Sequence, residues 1–307
     1  MIGRYERLSR HAQVFKSLTG LTVPEFAAVE RDVRPRYVTA ERARLNRPTR
    51  QRAIRSGHAF TLSVQDQLLL TVVWLRQYPT HEVLGYLFGV SDSTVSRTVA
   101  RLVPVLAQVG QATMRWPMLG QRSRRGRDAL LADTPELAVL IDTFEQPVQR
   151  HRDRAVADTY YSGKKKQHTL KSQVVIDETT GRVADIAPSV PGPTNDLTLL
   201  RQSGVLARLP AAVGGLGDLA YVGIAAAHPQ GLGATPRRKP RGQPRPAADI
   251  AYNTAFARRR VGVEHTIGRM RHYQALTQRD RHHRRCHTAR VRAVAGLANR
   301  QIDHRLP

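Results

Sequence analysis

The chain of 307 residues contains one cysteine, Cys286, which excludes an intramolecular disulfide framework. It has no apolar run near the roughly 20 residues that span a bilayer. Its first residues, MIGRYERLSRHAQ, are charged and lack the apolar centre of a signal peptide. Acidic residues are also scarce: 24 Asp and Glu face 49 Lys and Arg, giving a net charge of +25 and a pI of about 11.4. A field of that sign attracts polyanions and speeds their capture. Nucleic acid is therefore the leading partner. An anionic membrane surface is the rival, and no long amphipathic basic stretch supports it. The expectation is a cytoplasmic protein with no membrane partner, which reaches DNA without import. A hydrophobic share of 41% is enough for a packed core, and the length favours about two domains.

The N-terminal third reads as helices with clear start signals. In LTGLTVPEFAAVERDV, Thr22 is a candidate N-cap, Pro24 sits in the first turn and Glu25 closes a capping box. Residues 35–58 are rich in Arg and poor in apolar periodicity, and read as a basic connector or a solvated charged face. Ser63, with Asp66 three residues on, opens a second helix whose Val64, Leu68, Val72 and Leu75 share one face; Pro79 ends it. Thr80 then caps a short helix with Val83, Leu84 and Leu87 inward. Phe88, Gly89 and Val90 make a turn, and Ser91 caps a helix whose Val95, Val99 and Leu102 share a face. A short helix, a Gly-containing turn and a capped second helix form the helix-turn-helix pattern, here near residues 80–103. Its outward residues include Ser93, Thr94, Arg97 and Arg101, small polar groups and arginines suited to a major groove and its phosphates.

Residues 117–129 carry Pro, Gly and clustered Arg and mark a domain boundary. The division is a helical DNA-binding domain over 1–118, a basic linker over 119–129 and a second domain over 130–307. The second domain opens on LAVLIDTFEQPVQR, where the apolar run Ala138, Val139, Leu140, Ile141 leads into Asp142. Such a run predicts a strand buried on both faces. Asp142 at its end either starts a turn or looks into a cleft where it can bind a cation. A hairpin follows: residues 167–176 as one strand, a turn over 177–181 and a return strand over 182–189. Asn195 is placed to cap the helix DLTLLRQSGVLARL, GGLGDL is a short strand with Asp218 near its end, and residues 229–248 read as a mobile basic loop. A long helix closes the pattern, with Phe256, Val263, Ile267 and Met270 on its buried stripe and Glu264 at the border.

Two strand-end aspartates and a helical glutamate can converge on one point. That arrangement suits two Mg²⁺ (or Mn²⁺) ions in phosphodiester chemistry, one activating the attacking oxygen and one stabilising the leaving oxygen. Mg²⁺ needs few protein ligands, because water and substrate phosphate complete its octahedron.

Four stretches carry a family resemblance: LIDTFEQPVQR, YYSGKKKQHTLKSQVVID, PGPTNDLTLLR, and ARRRVGVEHTIGRMRHYQAL with the preceding TPRRKPRG. They resemble the helix-turn-helix DDE transposases of bacterial insertion sequences, in the IS-five-like group, and the order of elements resembles the ribonuclease-H fold. The resemblance covers nearly the whole chain. It implies an α/β catalytic domain, a mixed sheet flanked by helices, behind an all-α helix-turn-helix domain. It also implies Asp142, Asp218 and Glu264 as a metal-binding catalytic triad for two Mg²⁺ ions. The activity implied is cleavage and transfer of DNA strands at an element's terminal inverted repeats into target DNA, by a homo-oligomer on the bacterial nucleoid. The chain departs from the pattern in three places. Asp142-Thr143-Phe144-Glu145 replaces Asp-Gly-Thr-Glu, Asn195 replaces a His before Asp196, and Asp218-Leu219-Ala220-Tyr221 replaces Asp-Lys-Gly-Tyr.

Other residues have weaker claims. Glu145 reads as a fourth ligand or as the partner of an Arg, and Asp196 as favourable charge at a helix start. Lys164, Lys165, Lys166, His168 and Lys171 lie beside the first acidic strand, which favours phosphate contacts over a solvated loop. The cluster His282, His283, Cys286, His287 invites zinc, but one cysteine and no matching pair elsewhere argue against it. The rivals to a transposase are a derived DNA-binding protein without catalysis, and another nuclease of the same fold acting on RNA–DNA hybrid.

Overall fold

The computed structural model describes residues 3–46, 60–118 and 129–304. The helical part comprises α1 (Tyr5–Leu8), α2 (Ala12–Thr19), α3 (Val23–Leu45), α4 (Val64–Gln77), α5 (His81–Phe88) and α6 (Asp92–Thr113). The side chains of Thr22, Ser63, Thr80 and Ser91 accept the capping hydrogen bonds of α3 to α6, and Glu25 completes the capping box. Helix α3 runs through residues 35–45, where the Arg-rich composition suggested a connector. Its apolar stripe is thin but real: Val29, Val33 and Tyr37 are buried, and the Tyr37 hydroxyl donates to Gln67 Oε1 at 2.7 Å. Arg34 and Arg44 support the outer face through Glu30 and Glu41. The remainder of the expected connector, 47–58, and linker residues 119–128 lie outside the described residues.

Helices α5 and α6 meet at Gly89, whose φ of 64° makes the sharp turn. A Cβ at Gly85 would come within 2.6 Å of the Val90 carbonyl, so only glycine lets the two helices approach this closely. Leu84 and Phe88 face the core, whereas Val83, expected inside, is 51% exposed. Helix α6 continues well past residue 103 and packs along the C-terminal helix.

The second part adds β1 (Leu137–Pro147), α7 (Arg154–Thr159), β2 (Tyr161–Ser162), β3 (Gln167–Asp177), β4 (Val183–Ile186), β5 (Val190–Pro191), α8 (Asp196–Ser203), α9 (Val205–Arg208), β6 (Val213–Leu216), α10 (Ile224–Ala227), β7 (Gly233–Ala234), α11 (Ala247–Arg271) and α12 (His287–Asp303). The sheet order is β2-β3-β1-β6-β7, with β4 and β5 also paired to β3. β1 is antiparallel to β3 and parallel to β6, so the sheet is mixed. Ala138 and Leu140 enter the core shared with α11 and α12, while Val139 and Ile141 enter the one beneath α8 and α9. Both faces of the sheet are thus covered by helices, in the ribonuclease-H-like arrangement.

Several boundaries differ from the sequence reading. β1 does not end at Asp142, because β3 pairs with it as far as Pro147 opposite Thr169. The helix after Asn195 breaks at Gly204, whose φ is 61°. Within 229–248, Gly233 and Ala234 form β7 on the edge of β6. Helix α11 starts at Ala247 and stops at Arg271.

The two parts share one hydrophobic core, built where α6 crosses α12. A Cβ on Gly296 would fall 2.2 Å from the Gly110 Cα, so this glycine pair sets how closely the helices cross. Asn299, fully buried on α12, donates to Thr113 Oγ1 at 3.1 Å and exchanges hydrogen bonds with the backbone of Val183. A second junction centres on Asp280. Its carboxylate accepts from Arg290, from the Tyr78 hydroxyl and from the His282 N–H. Among the described residues no helix is long and apolar enough to cross a membrane.

Candidate active site

β6 pairs with β1 only from Leu137 to Leu140. Beyond that point this edge of β1 is open, and Asp142 stands at the opening. Its Oδ1 accepts the Thr143 N–H at 2.7 Å and its Oδ2 lies 3.5 Å from Arg260 Nη2. Burial raises the Asp142 pKa; the Thr143 N–H and Arg260 oppose the shift, and the charges of Asp218 and Asp196 add to it. Negative charge here is thus only partly offset.

Asp218 lies two residues beyond β6, where its carboxylate accepts the Ala220 N–H at 2.9 Å and caps a tight turn over 219–221. That turn folds Tyr221 under the site, against Gly217, where a Cβ would sit 2.5 Å from the tyrosine's own Cβ. Tyr221 is fully buried, and its hydroxyl has no hydrogen-bond partner among the described residues. Burial raises its pKa well above the usual phenol value, and Asp196, Asp142 and Asp218 push the same way.

Glu264 projects from α11, exposed, one turn beyond Arg260. The helix is fixed by Arg259, which donates to both oxygens of Glu178, at 2.6 and 2.9 Å, and to Thr134 and Pro135. Asp142 and Glu264 line the same cavity of about 380 Å³, together with Glu145, Lys171 and Asp196. Asp218 is not among its lining residues, but it is near enough to Asp142 for its charge to help raise the Asp142 pKa.

Asp196 is placed differently from a dipole-favouring helix start. Asn195 does the capping, accepting the N–H groups of Leu197 and Thr198, while Asp196 turns inward. It accepts from Lys171 Nζ at 2.7 Å and from the Thr143 hydroxyl at 3.1 Å. Glu145 has a lysine rather than an arginine as its partner: Lys171 lies 3.9 Å away, and the Thr169 hydroxyl donates to it at 2.6 Å. Lys171 is therefore 7% exposed and committed to carboxylates. Lys164 and Lys165 line the cavity, and Lys166 takes the left-handed conformation of the turn before β3, with φ 54°. His168 packs edge-on to Tyr161 at 5.5 Å.

Composition and periodicity single out neither Arg260 nor Tyr221, and leave Asp196 as a helix-start charge. The spacing of four between Arg260 and Glu264 is the available signal for the first. For the other two the signal is their place in the family motifs, while their orientations depend on distant packing.

The donor set fits a hard divalent cation. It is made of carboxylate oxygens whose charge is only partly offset, and the buried Tyr221 hydroxyl, without a partner among the described residues, is near enough to feel them. Among the described residues no three His, Cys, Asp or Glu side chains are gathered as a ready-made metal cage. Mg²⁺ does not require one, because it is usually bound through one or two carboxylates plus waters and substrate phosphates. The histidine cluster is not a metal centre. His287 is buried and bonded to Ser189 and Gln146, with its pKa lowered to about 3 by burial and by Arg290. His282 packs against Trp74 and His81.

Replacing Tyr221 by Phe removes the unpartnered hydroxyl at constant shape. The thermal midpoint of the metal-free protein is expected to stay level or rise, because a buried unsatisfied group costs about 1–3 kcal/mol. A fall of several degrees would mean that the hydroxyl has a structural partner.

On the helix-turn-helix, Ser93 and Arg97 are exposed at the start of α6 and Thr94 is half-buried. Arg97 folds back on Ser93, donating to its carbonyl at 3.0 Å. Arg101 is held against the protein, 3.7 Å from Glu41 and over the Phe60 ring.

Comparison with known proteins agrees with this layout. A family profile described as DDE superfamily endonuclease matches residues 141–299, and one described as helix-turn-helix of DDE superfamily endonuclease matches residues 60–112. The chain is 28% identical over 246 residues to a protein of Microchaete diplosiphon named as a transposase for insertion sequence element IS702, covering 80% of this chain and 83% of that one. It is 29% identical over 225 residues to one of Streptomyces albus G named as a transposase for IS112, covering 73% and 75%. No solved structure matches. With a mixed sheet that opens at Asp142 and a helix-turn-helix packed onto its core, the chain belongs to the helix-turn-helix DDE transposases of the DDE endonuclease superfamily.

Proposed function

We propose that the protein binds the terminal inverted repeats of its own element through α5 and α6, and that it cleaves and transfers DNA strands at the Asp142 cavity. The observation that carries this reading is that Asp142, on the central strand, and Glu264, on α11, line one cavity with Asp218 close behind. In this reading Asp142, Asp218 and Glu264 hold Mg²⁺ or Mn²⁺. When bound, two such ions supply a nucleophile at neutral pH and stabilisation of the leaving oxygen.

The chain's own residues do the rest. The fork of Arg259 fixes α11, which keeps Glu264 facing β1. Lys171 neutralises Asp196 and Glu145, so the cavity can accept a phosphate without facing every carboxylate at full charge. Lys164, Lys165 and Lys166, with His168, flank the opening as phosphate contacts. Binding through them is salt-dependent, because each phosphate neutralised releases counterions. Several copies on paired ends would bring both cuts together.

The test is DNA bearing the repeats that flank the gene. Arg97→Ala is expected to weaken binding to these ends by roughly ten-fold, within the ~1–3 kcal/mol of one good base contact. Binding to unrelated duplex should change less. Equal affinity of the wild-type protein for ends and unrelated DNA would overturn the assignment of α6 to end recognition.

A further inference from the structure

Glu264 also borders a second concavity, on the other side of α11. This cleft of about 660 Å³ lies between α11 and the N-terminal helices. Its walls bear Lys16 from α2, Arg76 from α4, and His265, Arg269 and His272 from α11 and its C-terminal cap. The last three recur at i, i+4 and i+7 and therefore share one face of the helix. Of the two carboxylates present, Glu25 is largely buried and held in its capping box, accepting the Thr22 N–H at 2.6 Å. The other is Glu264 itself, where the cleft meets the catalytic cavity.

We propose that this cleft is a second phosphodiester track, holding the DNA that continues past the scissile phosphate. The proposal rests on the reading of the Asp142 cavity as the cleavage centre. The chemistry is that of a DNA backbone: a concave surface whose side chains supply guanidinium, ammonium and imidazole donors. From Glu264 to His272 the helix advances about 12 Å at 1.5 Å per residue. Laid along a duplex axis, that length spans three or four phosphates of one strand, at about 3.4 Å of axis each. The walls come from both parts of the chain, so DNA in the cleft would also tie the helix-turn-helix part to the catalytic sheet.

The experiment measures affinity against salt without divalent metal, on two duplexes. One stops at the element's end and the other continues into flanking DNA. Wild-type protein is expected to give a steeper slope of log affinity against log salt on the longer duplex. Lys16→Ala with Arg269→Ala should flatten that slope by nearly two, at about 0.9 per phosphate contact, and leave the shorter duplex unchanged. Lys16→Ala alone, at an exposed position, should flatten it by about one, which keeps the test readable if the double variant is unstable. Equal wild-type slopes on the two duplexes, or a flattening that is absent or the same on both, would overturn the track. Nicking of the longer duplex with Mg²⁺, measured separately, reports on the cleavage centre: its absence with the slope difference intact would sink the enzyme reading and not the track.

Discussion

Asp280→Ala is expected to lower the free energy of unfolding by about 3–5 kcal/mol, the usual cost of stranding one member of a buried ion pair. Asp280 and Arg290 are both 2% exposed. Removal of the carboxylate leaves the Arg290 guanidinium buried without its counter-charge, and also deprives the Tyr78 hydroxyl and the His282 N–H of their acceptor. These groups join α4 and the entry to the helix-turn-helix to the segment that leads into α12. Since domains are typically stable by only about 5–15 kcal/mol, the variant should approach the limit of folding at 37 °C. The denaturant midpoint measures it. Replacing both partners together, Asp280→Leu with Arg290→Met, should recover much of the loss, because the penalty comes from the stranded charge. A single-variant loss under about 1 kcal/mol would show that the junction contributes little.

Glu264→Gln is expected to abolish cleavage, by at least about 10³-fold, while the fold persists. Glutamine keeps the size and helix preference of glutamate, and the side chain is exposed on α11, so little packing depends on it. What changes is one negative charge and one hard oxygen ligand. Loss of several kcal/mol of charge stabilisation in phosphoryl transfer corresponds to that rate factor. DNA binding should persist or strengthen, because a charge that repels phosphate has been removed. Reduced folded yield with a lowered thermal midpoint would instead assign Glu264 a structural role.

Much of this could be read from the residues because the signals were local. Side-chain caps at Thr22, Ser63, Thr80, Ser91 and Asn195 depend on groups two or three positions away, and all five form. The run Ala138 to Ile141 announced a strand buried on both faces, and each face does meet its own core. Local signals failed where distant partners decide. The Arg-rich stretch 35–45 is helical because Tyr37 finds Gln67 on another helix. β1 outlasts its apolar run because β3 keeps pairing with it. Asp196 faces inward because Lys171, 25 residues away in sequence, draws it there. The acids 142, 218 and 264 stand in the sequence as residues that can converge, and the resemblance to a family is what implies a catalytic triad. Spacing alone could not say that Asp142 on a strand and Glu264 on a helix would line one cavity.

The most direct measurement is nicking of end-labelled DNA carrying the element's end, by wild-type protein and by Asp142→Asn, with Mg²⁺ raised from zero and a gel shift on the same DNA. Wild-type protein should nick only when Mg²⁺ or Mn²⁺ is present, and the Asn variant should shift the DNA without nicking it at any metal concentration. Metal-independent nicking by the wild type, or wild-type-level nicking by Asp142→Asn, would contradict the assignment of this cavity as the metal-dependent cleavage centre.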